Sequence, residues 1–147
     1  MNILITSGGT SEKIDQVRSI TNHSTGQLGK IISERFLEAG YSVTLVTTPT
    51  AVQPKEHPHL RRIFIKNVAE LQTVLEKETP TNQVLIHAMA VSDYSPVYMS
   101  GFKAVKEASN LEHFLHQTNQ ESKISSEEDY QVLFLKKNPK LISLVKT

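Results

Sequence analysis

The chain has 147 residues, 16 Lys and Arg against 15 Asp and Glu, and no cysteine; this is the length of one domain able to bury its own core, and it excludes disulfides, thiolate metal sites and a cysteine nucleophile. A formal charge of +1 argues against a dedicated nucleic-acid binder. Apolar runs such as "VLIHAMAV" are too short to span a bilayer and "MNILIT" lacks the charged start of a signal peptide, so the expectation is a single cytoplasmic domain over 1–147 with no membrane partner.

In chain order, "NILIT" (2–6) is a short apolar run stopping at Gly8-Gly9, the form of a buried parallel strand ending in a turn. From Leu28 a helix follows, with Leu28, Ile31, Ile32 and Phe36 on one face and Gly40 as the residue just past its end. "SVTLVT" (42–47) and "RRIFIK" (61–66) are β-branched or aromatic enough for strands, and Pro54 and His57-Pro58-His59 mark the loop between them. "NVAELQTVLEKE" (67–78) is a helix with an Asn67 cap, Glu70 three residues on, and Val68, Leu71, Val74 and Leu75 on one face. "QVLIHA" (83–88) is a strand, 89–101 a loop, 102–117 weakly helical and 129–137 a strand; Asn138 caps a terminal helix with Pro139 at its first position. Strands alternating with helices imply a three-layer, Rossmann-like α/β domain with a mainly parallel sheet and right-handed crossovers.

Ligands of such sheets bind beyond the carboxyl ends of the strands, near the switch in strand order. Two segments leave strands there, "SGGTSEKIDQVRSITNHSTG" and "MAVSDYSP". Gly8 and Gly9 permit close backbone approach to a phosphate and Thr10 adds a hydroxyl; a strand-ending turn is the plainer alternative. No Gly-x4-Gly-Lys-Ser/Thr or Gly-x-Gly-x-x-Gly occurs, and "TLVTTPT" has no acidic residue to hold a dinucleotide ribose. Ser24 or Thr25 can cap the helix, and Gly26 and Gly29 let its first turn approach an anion at the positive end of the dipole. Capping alone leaves Arg18, Asn22 and His23 unexplained in a long loop. Asp15 either fixes that loop or helps hold Mg²⁺, while His113 and His116 lack a third ligand and read as a solvated face.

"ILITSGGTSEKIDQVRSITNHSTGQLG" resembles the opening of the phosphopantothenate-cysteine ligase family, with its GGT, D-x-V-R and N-H-S-[ST]-G-x-x-G segments. "AMAVSDYSP", "SKISS" and "KKNPKLI" continue the likeness, which fits the short stand-alone bacterial form. The resemblance implies a ligase of coenzyme A biosynthesis that joins 4′-phosphopantothenate to L-cysteine, with CTP and Mg²⁺, through an acyl-cytidylate. By resemblance, Gly8, Gly9, Thr10, Ser24, Gly26 and Asp93 bind the nucleotide. Asn22 is the catalytic asparagine, Met89, Ala90 and Asp93 line the substrate pocket, and Arg18 binds the substrate phosphate across a homodimer interface. Lys123 is the first lysine of a mobile catalytic flap. Two departures stand out: Lys123-Ile124-Ser125-Ser126 replaces K-x-K-K, and Thr147 falls before the family's G-F-x-x-E-T segment, so the chain reads as C-terminally truncated. The alternative is a non-catalytic nucleotide-binding module or inactive remnant.

Overall fold

The computed structural model describes residues 1–145. Its elements in chain order are β1 (Asn2–Gly9), β2 (Ser11–Lys13), β3 (Ser19–Thr21), α1 (Gln27–Glu38), β4 (Ser42–Thr47), β5 (Leu60–Phe64), α2 (Val68–Glu78), β6 (Val84–Ala90), β7 (Tyr94–Gly101), α3 (Phe102–Glu107), β8 (Gln131–Lys137) and α4 (Ile142–Val145). Short 3₁₀ turns cover Thr79–Thr81 and Leu111–His116. Where the sequence reading expects one domain, the residues cluster into two compact units, because Glu12–Ile20 and Asp93–Pro139 make their contacts with each other.

The first unit holds Met1–Ser11, Thr21–Ser92 and the segment from Lys140. Its sheet has the order β5-β4-β1-β6, with every pairing parallel. Side chains of a strand alternate between faces. Ile3, Ile5, Val43 and Leu45 therefore pack with Leu37 of α1, whereas Leu4 and Val46 pack with Val68, Leu71 and Leu75 of α2 and with Met89 and Leu141. Each fully buried side chain of this size contributes about 1.5–3 kcal/mol, so the central strands are the most strongly held part of this unit. Helix α2 begins as the sequence predicts, with Asn67 Oδ1 accepting the Glu70 N–H at 2.9 Å.

Helix α1 lies where expected but turns a different face inward. Leu28 and Ile31 are 62% and 46% exposed, and the buried positions are Gly29, Ser33 and Leu37, with Ile32 and Phe36 packed at the edge of the core. A Cβ on Gly29 would run into the Ser7 side chain, so small residues let the helix backbone sit close to β1. Hydrophobic periodicity cannot register that stripe, because it weighs apolarity and not clearance. Past the helix, Gly40 has φ 92°. The Tyr41 N–H reaches Phe36 O at 3.0 Å and the Gly40 N–H reaches Leu37 O at 3.1 Å, a paired C-terminal cap.

The second unit comprises Glu12–Ile20 and Asp93–Pro139. Residues 94–101, expected as loop, form β7, which pairs antiparallel with β8 and shifts register between Pro96 and Tyr98. That irregularity and the Ser, Pro and Gly content hide the strand period. Strand β8 thus belongs to this two-stranded sheet and not to the parallel one. The weak helix of 102–117 resolves into α3 and the 3₁₀ turn, where Phe114 stacks on Tyr98 and Phe134 at 6.1 and 5.3 Å. The terminal helix starts at Ile142 and not at Pro139; the Asn138 N–H is spent on Asp93 O at 2.7 Å.

Candidate functional site

From β1 the chain passes through α1 to β4 and β5 on one side, then crosses through α2 to β6 on the other. The switch in strand order therefore lies between the carboxyl ends of β1 and β6, the place where open α/β sheets bind ligands. Gly8 and Gly9 are not in a turn there: they continue β1, paired with Met89 and Ala90. Gly8 has φ 97°, a conformation open to glycine at no steric cost. Its α-carbon faces the buried Thr48 Oγ1, which has no hydrogen-bond partner among the described residues. No sequence signal marked Thr48.

Asn22 is fastened to this edge from both sides. Its backbone N–H donates to Thr10 O at 3.1 Å, and its side-chain amide donates to Ala90 O, also at 3.1 Å. The Thr10 N–H reaches the same Ala90 carbonyl at 3.0 Å. A Cβ on Gly9 would run into the Asn22 carbonyl, so Gly9 is required for Asn22 to lie across the strand end. The Asn22 amide carries a second hydrogen, which takes no partner among the described residues and remains available to a ligand. Gly9→Ala is expected to destabilise the fold by about 1–3 kcal/mol through overpacking, read as a lowered midpoint in thermal or urea unfolding; an unchanged midpoint would show that Asn22 moves aside freely.

Thr10, expected to offer its hydroxyl to a phosphate, is fully buried. That hydroxyl accepts the Ser92 N–H at 2.8 Å and pairs with Ser92 Oγ at 2.9 Å. It fastens the chain just past β6, and Ser92 is its partner that sequence reasoning missed. At the start of α1 the capping position is Gly26 itself, φ 82°, while Thr25 Oγ1 accepts the Gln27 N–H at 3.2 Å. Ser24 makes no cap and is half-buried. Ser7 Oγ donates to Gly26 O at 3.1 Å. Three residues back from the ends of the same two strands, His87 Nδ1 lies 2.7 Å from Thr6 Oγ1, and burial lowers the His87 pKa, favouring the neutral ring.

Arg18, Asp93 and Lys123 belong to the second unit. Asp15 Oδ1 accepts the N–H groups of Val17 and Arg18 at 2.9 and 2.7 Å. Its Oδ2 accepts Arg18 Nε and Nη2 at 3.1 and 2.8 Å and the Ile124 N–H at 3.0 Å. With every carboxylate position engaged and the side chain 0% exposed, Asp15 fixes its loop, and the alternative of a Mg²⁺ ligand falls away. Among the described residues, no group of three His, Cys, Asp or Glu side chains is placed to hold a metal. Arg18 Nη2 also donates to Ile124 O at 2.8 Å. Lys123 is exposed. His113, discounted as a ligand, packs its ring on Phe114 at 4.3 Å.

The Arg18 guanidinium, with the Ile124, Val17 and Arg18 N–H groups, holds the Asp15 carboxyl well below the usual carboxylate range. Folding thus favours the ionised form. The stabilisation is complete above the ordinary value of about 3.9 and is lost as pH falls below it toward the lower folded value. Unfolding midpoints measured from pH 7 to pH 3 should fall more steeply below about pH 4 for the wild type than for Asp15→Asn. Parallel curves would remove Asp15 from the acid transition.

The family profile of the DNA/pantothenate metabolism flavoprotein C-terminal domain matches residues 1–124. The chain belongs to this family. The resemblance read from the motifs is borne out, and so is the α/β fold. Among curated members, the coenzyme A biosynthesis bifunctional protein CoaBC of Vibrio cholerae is 35% identical over 108 residues, covering 74% of this chain and 27% of that protein. The CoaBC of Escherichia coli K12 is 32% identical, with 74% and 26% covered. The family member from Streptococcus pneumoniae, a crystal structure of a DNA/pantothenate metabolism flavoprotein, is 58% identical with a TM-score of 0.94; the match covers 99% of this chain and 64% of that one. The chain thus spans about a quarter of the length of the curated members it matches.

Proposed function

We propose that the chain serves coenzyme A biosynthesis as a phosphopantothenate-cysteine ligase that uses CTP. Family membership and the coenzyme A biosynthesis named for its CoaBC relatives support this reading. The observation that carries it is Asn22, held across the β1/β6 switch by Gly9 and Ala90 with an amide hydrogen to spare. In the first step, a carboxylate oxygen of 4′-phosphopantothenate attacks the α-phosphorus of CTP and the bond to the β-phosphate breaks, releasing pyrophosphate. The cysteine nitrogen then attacks the acyl carbon, the bond to CMP breaks and the nitrogen loses a proton. Negative charge builds on the carbonyl oxygen in that second step, where a positioned amide donor acts.

In this reading Gly8 allows the nucleotide close to the backbone and Gly9 keeps Asn22 in place across the strand end, while Gly26 and Ser24 offer the nucleotide the start of α1 and its dipole. Thr10 acts by holding Ser92. Ala90 and Asp93 line the substrate side, while Met89, expected there too, is buried in the core cluster with Leu71 and acts only by packing; Lys123 takes the triphosphate. Arg18 keeps Nη1 for the substrate phosphate, across a homodimer interface. Mg²⁺ arrives with the triphosphate and needs few protein ligands. The reaction is cytoplasmic.

A pyrophosphate-release assay with phosphopantothenate and CTP, with and without cysteine and with ATP in parallel, tests the reading. Release is expected only with phosphopantothenate, and CMP and the amide product only once cysteine is added. A CTP-dependent rise in melting temperature without any release would make the chain a nucleotide-binding module instead.

A further inference from the structure

The stretch around Lys123, which the resemblance implies is a mobile flap, has no regular secondary structure, yet it is tied down on both sides of that residue. On one side the Gln16 N–H donates to Ser122 O at 2.9 Å. On the other, Ile124 is held through both backbone groups, its N–H by Asp15 Oδ2 at 3.0 Å and its carbonyl by Arg18 Nη2 at 2.8 Å. The Ile124 side chain is 7% exposed and adds an apolar anchor. Lys123, between the two ties, is exposed and makes no ion pair among the described residues. The centre of the device is the Asp15 carboxylate, which binds Arg18 and Ile124 at once.

We infer that Asp15 is a positioning residue for Lys123: it fixes the segment on which Lys123 is mounted, so that a single lysine meets an anionic ligand from a set place. The inference rests on the proposed role of Lys123 toward the triphosphate. Its physical content is preorganisation, since a cation on a tethered segment gives up less conformational freedom when an anion arrives than one on a free loop. The Asp15 carboxylate has no acceptor position left for the ligand, so it acts through the segment and not by touching what binds.

Amide exchange and CTP titration on the whole chain test this together. In Asp15→Asn, exchange at the Ile124 and Gln16 amides should accelerate at least about tenfold, the scale of losing one charge-assisted hydrogen bond, while the Leu71 amide of α2 is unchanged. The affinity for CTP with Mg²⁺ should fall about tenfold, and the double variant with Lys123→Ala should bind no more weakly than Lys123→Ala alone, because both changes remove one interaction. Ile124→Pro removes the tethering N–H while leaving Asp15 and Arg18 charged, and should reproduce the loss of CTP affinity. Faster Ile124 exchange with unchanged CTP affinity, or additive losses in the double variant, would overturn the positioning role. Equal acceleration at Leu71 in Asp15→Asn would reduce Asp15 to a general stabiliser. Absence of CTP binding by the wild type would overturn the nucleotide reading itself, and exchange at Ile124 would then still decide whether Asp15 holds the segment.

Discussion

Asn22→Asp is expected to leave a first turnover of pyrophosphate release from CTP in place and to slow acyl transfer to cysteine by at least about a hundredfold, the cost of losing one oxyanion donor. The residue that changes is half-buried, and among the described residues its side chain makes one hydrogen bond, to Ala90 O at 3.1 Å. A carboxylate cannot donate there and turns away from the carbonyl, a local loss of about 1 kcal/mol that leaves the β1/β6 pairing intact. The spare amide hydrogen is replaced by a negative charge, and under the proposed mechanism negative charge develops on the carbonyl oxygen beside it. Rapid-quench measurements that follow pyrophosphate and 4′-phosphopantothenoylcysteine separately decide the matter. Equal slowing of both steps would make Asn22 an orienting residue for substrate, and no slowing of either would leave it as a clamp on the strand ends.

Leu71→Ala carries the largest expected effect on stability. Leu71 is fully buried among Leu4, Val46, Val68, Leu75, Met89 and Leu141. Truncation removes transfer free energy and leaves a cavity, together about 2–5 kcal/mol, against a total stability of about 5–15 kcal/mol for a domain. Alanine's advantage in helix propensity is only a few tenths of a kcal/mol, so the packing loss wins. A fall in melting temperature of about 5–15 °C is expected at this chain length. Val74, only partly buried against the same cluster, should lose less on the same truncation. A shift below about 2 °C for Leu71→Ala would mean that the cluster closes over the gap.

Much of the first unit was legible in the chain. Asn67 with Glu70, the apolar face of α2, Gly40 past α1 and the β-branched runs of β1 and β4 are local signals, and each carries its meaning within a few residues. The candidate site was legible as a set of residue types, Gly8, Gly9 and Asn22 among them, and as a place at the sheet edge. What each does was not. Gly9 looked like room for a ligand and is room for the Asn22 carbonyl; Thr10 looked like a ligand's donor and holds Ser92.

The sequence by itself therefore determined the alternation of strands and helices, the parallel sheet and the family, because hydrophobic period, caps and short motifs are properties of neighbouring residues. Only the tertiary structure decided that 94–101 is a strand paired with β8, that α1 seats Gly29 and Ser33 against β1, and that Asp15 grips a segment 109 residues away. These depend on clearance between backbones and on hydrogen bonds across long separations. Neither leaves a periodic trace in the chain, since a contact is made by two distant positions whose pairing exists only once the fold brings them together.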